Sequence, residues 1–191
     1  MLEPILKPKE LDMTMPELAA RLGIGSEEIA RALASYVRTI RSGDSPFDRY
    51  MNGDRPAVPP EARAGLHLFR GKAGCIACHV GPNFTDERFH NTGVAWRDGR
   101  LLDEGRFAVS GREADRGAFK TPTLREVART APYMHDGSLA TIEDVIEFYN
   151  RGGTRNPQVD PDLRPLDLSP DEKRALAMFL RALSGTVYEG Q

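Results

Sequence analysis

Residues 75–79 read Cys-Ile-Ala-Cys-His, and these side chains have the richest chemistry in the chain. Two thiols separated by two residues can add to the two vinyl groups of one porphyrin, and the adjacent imidazole then falls beneath the iron as proximal ligand. Cys75 and Cys78 are the two cysteines of the chain, so no thiol remains for a disulfide or a second metal site. A zinc site of two Cys and one His would need a fourth ligand, usually from a second CxxC or HxxxH pair. The sequence has neither pair. A redox CxxC would want a thioredoxin-like βαβ setting, which the glycine-rich surroundings do not supply. The motif therefore predicts covalent c-type haem.

An iron held by His79 either keeps an open position or takes a second protein ligand for electron transfer. Met134, His135, Tyr149, Met178, His67 and His90 are the candidates. Met134 sits in Pro132-Tyr133-Met134-His135-Asp136-Gly137, a run resembling the methionine loop of small cytochromes c; its plain alternative is packing at a turn. Tyr149 lies on the apolar stripe of a helix, and a buried phenol needs a polar partner. Ferric iron would be one, holding the phenol as phenolate despite a reference pKa of ~10. A core tyrosine bonded to a backbone carbonyl fits the same spacing, so pattern alone leaves Met134 and Tyr149 open. Lys120 and Arg125 suit charge-assisted bonds to haem propionates, though most such side chains are simply solvated. His67 and His90 read as surface or loop histidines, and His135, beside Asp136, as a pocket or loop residue without a catalytic role.

The elements that must position these residues are mostly helical. Thr14 with Glu17 reads as a capping box for a short helix near 16–22, closed by Gly23. Ser26 reads as the cap of a longer one with Ile29, Leu33, Tyr36, Val37 and Ile40 at helical spacing, stopped by Gly43. Residues 43–58 read as a loop, and Pro59-Pro60-Glu61 opens a helix leading into the haem motif. From Val80 to about Thr130 periodicity is poor and glycine frequent, yet Phe84, Phe89, Trp96, Phe107 and Phe119 punctuate the stretch. Such a segment suits wrapping a bulky apolar object, with short strands near Arg106–Ser110. Thr141 with Asp144 caps a helix carrying Ile142, Val145, Ile146 and Tyr149 on one face. Ser169-Pro170-Asp171-Glu172 starts a last helix with the stripe Leu176, Phe179, Leu180, Leu183.

At 191 residues and 40% hydrophobic, the chain makes one or two small domains with a modest core. A net charge of −2, from 26 basic and 28 acidic residues, argues for neither nucleic acid nor anionic lipid as partner. No run approaches the ~20 apolar residues of a membrane span. Residues 1–8 lack a charged region followed by an apolar one, so no export signal is visible. Haem is nevertheless attached to CxxCH outside the bacterial cytoplasm. The expectation is a chain whose signal was removed or one that begins partway through a longer protein.

Four blocks carry a resemblance: Gly65-Leu66-His67-Leu68-Phe69-Arg70-Gly71-Lys72-Ala73-Gly74, Gly81-Pro82-Asn83-Phe84-Thr85-Asp86, Phe119-Lys120-Thr121-Pro122-Thr123-Leu124-Arg125 and Thr130-Ala131-Pro132-Tyr133-Met134-His135-Asp136-Gly137-Ser138. They resemble the bacterial di-haem cytochrome c peroxidases, MauG-type members included, and the likeness runs from about Leu6 to Leu183. The resemblance implies a mainly α, cytochrome c-like helical haem domain with long loops wrapping the haem. Residues 1–58 would be the tail of the N-terminal peroxidatic domain, with its haem motif absent, and residues 59–191 the C-terminal haem domain. It implies a haem-binding electron-transfer role in an oxidoreductase acting with hydrogen peroxide, in the periplasm. The electron donor would be a small cytochrome or copper protein, or the partner a protein substrate.

In the peroxidases proper the second haem is His/Met ligated, the methionine lying near the end of the helix after the Tyr-x-His-Asp-Gly turn. That position falls on Tyr149 here, and MauG-type relatives place tyrosine there, so the resemblance favours His79/Tyr149 with Met134 as packing. It places Glu10, near Pro4, at the peroxide site as acid–base, and the carbonyls of Thr130 and Pro132 at an interdomain calcium. A complete member carries two haems; the 191 residues contain one CxxCH, so the chain alone is expected to bind one haem and to lack the peroxide site. The tryptophan usually found between the haems would also lie upstream, leaving Trp96 to pack. The alternative reading is a stand-alone monohaem c-type electron carrier without peroxidase activity.

Overall fold

The structure, a computed structural model, describes residues 15–189. The chain divides into two compact units, residues 1–41 with 187–191 and residues 42–186.

The first unit carries α1 (Met15–Leu22) and α2 (Ser26–Thr39). Gly23, with φ 67°, closes α1 as the sequence predicts; Thr14, the expected cap, lies outside the described residues. The start of α2 corrects the expectation: Ser26 is its first helical residue, and Gly25 is the cap, its N–H donating to the Glu28 carboxylate at 3.1 Å. Glu27 and Glu28 place negative charge in the first turn, where the helix dipole favours it. The helix ends at Thr39 rather than at Gly43. Of its expected apolar stripe Ile29 is buried, whereas Leu33, Tyr36, Val37 and Ile40 are exposed.

In the second unit, α3 (Pro46–Met51) occupies part of the expected 43–58 loop. Ser45 caps it, its hydroxyl accepting the Asp48 N–H at 3.1 Å while the Asp48 carboxylate accepts the Ser45 N–H at 3.0 Å. Six residues are too few for a hydrophobic period, which is why the pattern missed it. Next comes α4 (Pro60–Arg70), opened by Pro59-Pro60 as predicted. The last two long elements are α6 (Ile142–Asn150) and α7 (Pro170–Arg181), both begun by capping boxes at Thr141/Asp144 and Ser169/Glu172.

Helices α4 and α7 cross closely because Gly65 has no side chain: a Cβ there would sit 2.0 Å from the Ala175 carbonyl oxygen. Around this crossing Phe69 and Phe179 meet edge to face at 5.1 Å, and Phe47 meets Phe84 at 5.4 Å. Leu66, Ile142, Ile146, Leu176 and Leu183 complete the cluster. Each such buried side chain contributes on the order of 1.5–3 kcal/mol.

Between α4 and α6 the chain is irregular. Strand β1 (Phe89–His90) pairs antiparallel with β4 (Phe119–Lys120), in the register Phe89↔Lys120 and His90↔Phe119. Strand β2 (Trp96–Arg97) pairs with β3 (Arg100–Leu101). The stretch expected to hold strands near Arg106–Ser110 instead makes one helical turn, α5 (Phe107–Ser110). Gly105 and Gly111, both at positive φ, confine it to that turn. The chain is mainly helical, as expected, and among the described residues no helix is long and apolar enough to cross a membrane.

Candidate haem site

The end of α4 delivers the CxxCH motif. Gly74 takes φ 64° and turns the chain into a 3₁₀ turn over Cys75–Ala77, and the His79 N–H closes back on the Cys75 carbonyl at 2.9 Å. Ala73 is buried and Cys75 packs at the edge of the phenylalanine cluster. Neither cysteine is in a disulfide.

The His79 ring is aimed by the backbone of Phe84. A carbonyl can only accept, so the 2.8 Å contact to Phe84 O fixes the proton on Nδ1. Burial also lowers the pKa of His79, favouring the neutral ring that a metal requires. Phe69 flanks the imidazole, ring centroids 6.5 Å apart.

Burial pushes the Cys75 thiol up to about 12, with the Cys78 charge adding to it. Cys78 rises to about 11 through burial and the nearby carboxylates of Asp86, Asp160 and Asp162. A reactive redox pair would show the opposite shift, toward thiolate. Cys78 also meets Asp86 and His90, the three ligand atoms lying within 4.8 Å of one another. Both nitrogens of that imidazole are engaged, Nε2 with Asp86 at 2.9 Å and Nδ1 with Asp160 at 2.6 Å. A thioether to haem and a metal in this trio would compete for the same sulfur.

Tyr149 reaches the same place from the far end of α6. The Thr141 cap starts the helix, Ile142 and Ile146 turn into the core, and Tyr149 follows on the same stripe. Burial pushes its phenol up to about 12, and the Cys75 and Cys78 sulfurs are close enough to push it further in the same direction; a bond with the Thr92 side chain acts against them. An imidazole with its outer nitrogen tied, two thiols and a half-buried phenol near them form a donor set that fits a covalently attached haem.

The other ligand candidates lie in different settings. Met134 takes φ 70° in a turn where the Gly137 N–H donates to its carbonyl at 3.3 Å. Met178 packs on Val58, Ala62 and Ala182. His67 is exposed on α4, His90 is held by its two aspartates, and His135 stacks on Phe119 at 3.6 Å. Arg125 is occupied by Asp48 at 2.7 Å and the Pro82 carbonyl at 2.8 Å. Lys120 is paired with Glu87 at 2.7 Å. Thr130 and Pro132 are exposed. Trp96 lines a cavity of about 540 Å³ with Val94, Arg97 and Phe148. Pro4 and Glu10 lie outside the described residues. The Asp86–His90–Asp160 group was not legible in the sequence, because Asp160 lies seventy residues from His90.

Comparison with known proteins places these features in one family. The family model for di-haem cytochrome c peroxidases matches residues 1–56. The methylamine utilization protein MauG of Methylorubrum extorquens is 40% identical over 94% of this chain and 56% of its own length. Cytochrome-c peroxidase IdrP1 of Denitromonas iodatirespirans is 41% identical, covering 81% of this chain and 49% of its own. Among solved structures, a MauG-like protein associated with microbial copper homeostasis superposes with a TM-score of 0.67 at 34% identity, over 75% of this chain and 52% of that one. The chain spans about half the length of the curated relatives it matches. With the CxxCH geometry described above, these likenesses lead to one conclusion: the chain belongs to the di-haem cytochrome c peroxidase family.

Proposed function

We propose that this chain is the electron-transferring haem domain of a MauG-type di-haem peroxidase acting with hydrogen peroxide. Cys75 and Cys78 would tether the porphyrin, and His79 and Tyr149 would hold its iron. The observation that carries this reading is the CxxCH turn with the His79 ring tied to the Phe84 carbonyl at 2.8 Å. Bound haem supplies one-electron chemistry, and the ligands tune it. A neutral thioether favours Fe(II), whereas an anionic phenolate favours Fe(III) and lowers the potential. A His/Tyr site thus suits a domain that holds oxidising equivalents for a protein substrate. A His/Met site would suit accepting electrons from a small cytochrome or copper protein.

The family match over residues 1–56 supports reading residues 1–58 as the tail of the peroxidatic domain, with Glu10 as acid–base beside the peroxide-reactive haem and that haem's motif outside these residues. The Thr130 and Pro132 carbonyls are proposed calcium ligands. The chemistry of CxxCH maturation supports a periplasmic protein.

The test is maturation of the exported chain with a cytochrome c assembly system, followed by haem quantification and rapid mixing with peroxide. One haem per chain, with little direct reaction with peroxide, is expected, because His79 and Tyr149 would both be held on the iron. Fast peroxide turnover by the single haem, or a chain without covalent haem, overturns the reading.

A further inference from the structure

Among the described residues, one group of cysteine, histidine and carboxylate atoms closes to metal-binding range: Cys78, Asp86 and His90, within 4.8 Å of one another. The fold holds each of them in place. The Asp86 N–H donates to the Cys78 carbonyl at 2.8 Å and pins the loop after the CxxCH turn beside the cysteine. The Arg88 N–H occupies Asp86 Oδ1 at 2.9 Å, while Oδ2 faces His90 Nε2 at 2.9 Å. His90 lies in β1, held to β4 by the register His90↔Phe119. Its Nδ1 meets Asp160 Oδ2 at 2.6 Å, and the Asp162 N–H holds the other Asp160 oxygen at 2.9 Å. A carboxylate on the outer nitrogen of an imidazole orients the ring toward a metal and raises its basicity. All three ligand side chains are half-buried. Cys75 and His79 stand outside the group, although both are close to Cys78 in sequence.

We propose that the chain, before haem is attached, binds one zinc-class divalent cation through Cys78 Sγ, Asp86 Oδ2 and His90 Nε2, with Asp160 as the outer partner of the imidazole. One thiolate, one imidazole and one carboxylate make a borderline donor set, which suits zinc or cobalt and not magnesium or calcium. Zinc bonds of about 2.0–2.3 Å set tetrahedral ligand atoms about 3.5 Å apart, so side-chain shifts of about 1 Å complete the site. Water takes the fourth position. The cation replaces the proton between Nε2 and Oδ2 and that of the Cys78 thiol, and its charge offsets the thiolate and the carboxylate. Cation binding and haem attachment exclude each other. Thioether formation adds the Cys78 S–H across a vinyl C=C, sulfur to one carbon and hydrogen to the other. The neutral sulfur that remains has lost the charge that holds zinc. This exclusion, unlike the cation site itself, rests on the haem reading of Cys78.

The experiment uses the full chain made without export, so that no haem is attached, and titrates it with Co²⁺ and then Zn²⁺. One Co²⁺ per chain is expected, with a thiolate-to-cobalt charge-transfer band and the strong visible bands of a four-coordinate site, all erased by Zn²⁺. Cys78→Ser is expected to abolish the charge-transfer band, and His90→Gln or Asp86→Asn to weaken binding about tenfold. Cys75→Ser and His79→Gly are expected to keep the band. On the wild type itself, Zn²⁺ should slow alkylation of Cys78 and leave the rate at Cys75 unchanged, a readout that needs no variant. A chain that binds no cobalt overturns the proposal. So does a cobalt site indifferent to His90→Gln, or one lost equally in Cys75→Ser or His79→Gly, which would place the metal on the CxxCH turn alone. Zn²⁺ added during haem attachment should lower the yield in wild type and not in His90→Gln; equal yields overturn the exclusion. If the cobalt results hold and no haem is ever attached, the haem reading fails and the cation site stands.

Discussion

His79 and Phe84 are joined by a hydrogen bond, imidazole Nδ1–H to backbone carbonyl at 2.8 Å, and in the proposed haem site that bond would leave Nε2 to the iron. Phe84 offers its carbonyl from a left-handed conformation, φ 51°, while its buried ring is locked between Phe47 and Phe179. The His79 ring is thus aimed by the phenylalanine core through five residues of chain.

His79→Gly should therefore keep the haem attached through Cys75 and Cys78 but lose the proximal bond. The absorption spectrum of the matured variant is expected to become that of an open-coordinate iron, and added imidazole should restore the wild-type bands. A variant with an unaltered spectrum would place the proximal ligand elsewhere.

Gly65→Ala tests the helix crossing beneath the site. Alanine in a helix is ordinarily favoured over glycine by about 1 kcal/mol. Here its methyl would overlap the Ala175 oxygen and the Phe179 Cβ, at 2.0 and 2.8 Å. Overpacking of this kind costs about 1–3 kcal/mol. Urea unfolding should show a lower midpoint at an unchanged m-value; a midpoint equal to or above wild type would mean that α4 and α7 cross less tightly.

The Asp86–His90–Asp160 group predicts a pH window. Burial works to raise the Asp86 carboxyl, but bonds from the Arg88 N–H, His90 and Thr121 hold it down, to about 2 from 3.8. Its contribution is full above the unfolded value of 3.8 and is lost as pH falls toward 2. For His90 burial acts downward, yet Asp160 and Asp86 raise it above 6.5. That contribution is full below 6.5 and fades as pH rises through the folded value. Stability should be greatest between roughly pH 4 and 6.5 and fall on either side. In His90→Gln the alkaline decline should shrink. Unfolding free energies from pH 3 to 9 measure this, and an alkaline limb identical in wild type and variant would contradict it.

What the sequence made legible was local. Thr141 with Asp144 and Ser169 with Glu172 announce α6 and α7 within four residues, and both boxes form. Ser45 with Asp48 carries the same signal, yet a six-residue helix has no period to support it. The α2 stripe was visible as a helix, but its exposure was not, because spacing says which residues share a face and not whether anything covers it. His90 and Asp160 are seventy residues apart, and only the folded zipper brings them together. The nearness of Tyr149 to the thiols came from likeness to a family, since a buried phenol at that spacing is equally a core residue.

The proposed site holds an iron between His79 and Tyr149 on a porphyrin tethered at Cys75 and Cys78. Resonance Raman of the matured ferric chain, excited in the phenolate-to-iron band, tests it most directly. Phenolate vibrations present in the wild type and absent in Tyr149→Phe are the expected result. A wild type without them, showing instead the far-red ferric band of a thioether ligand that disappears in Met134→Leu, would contradict it.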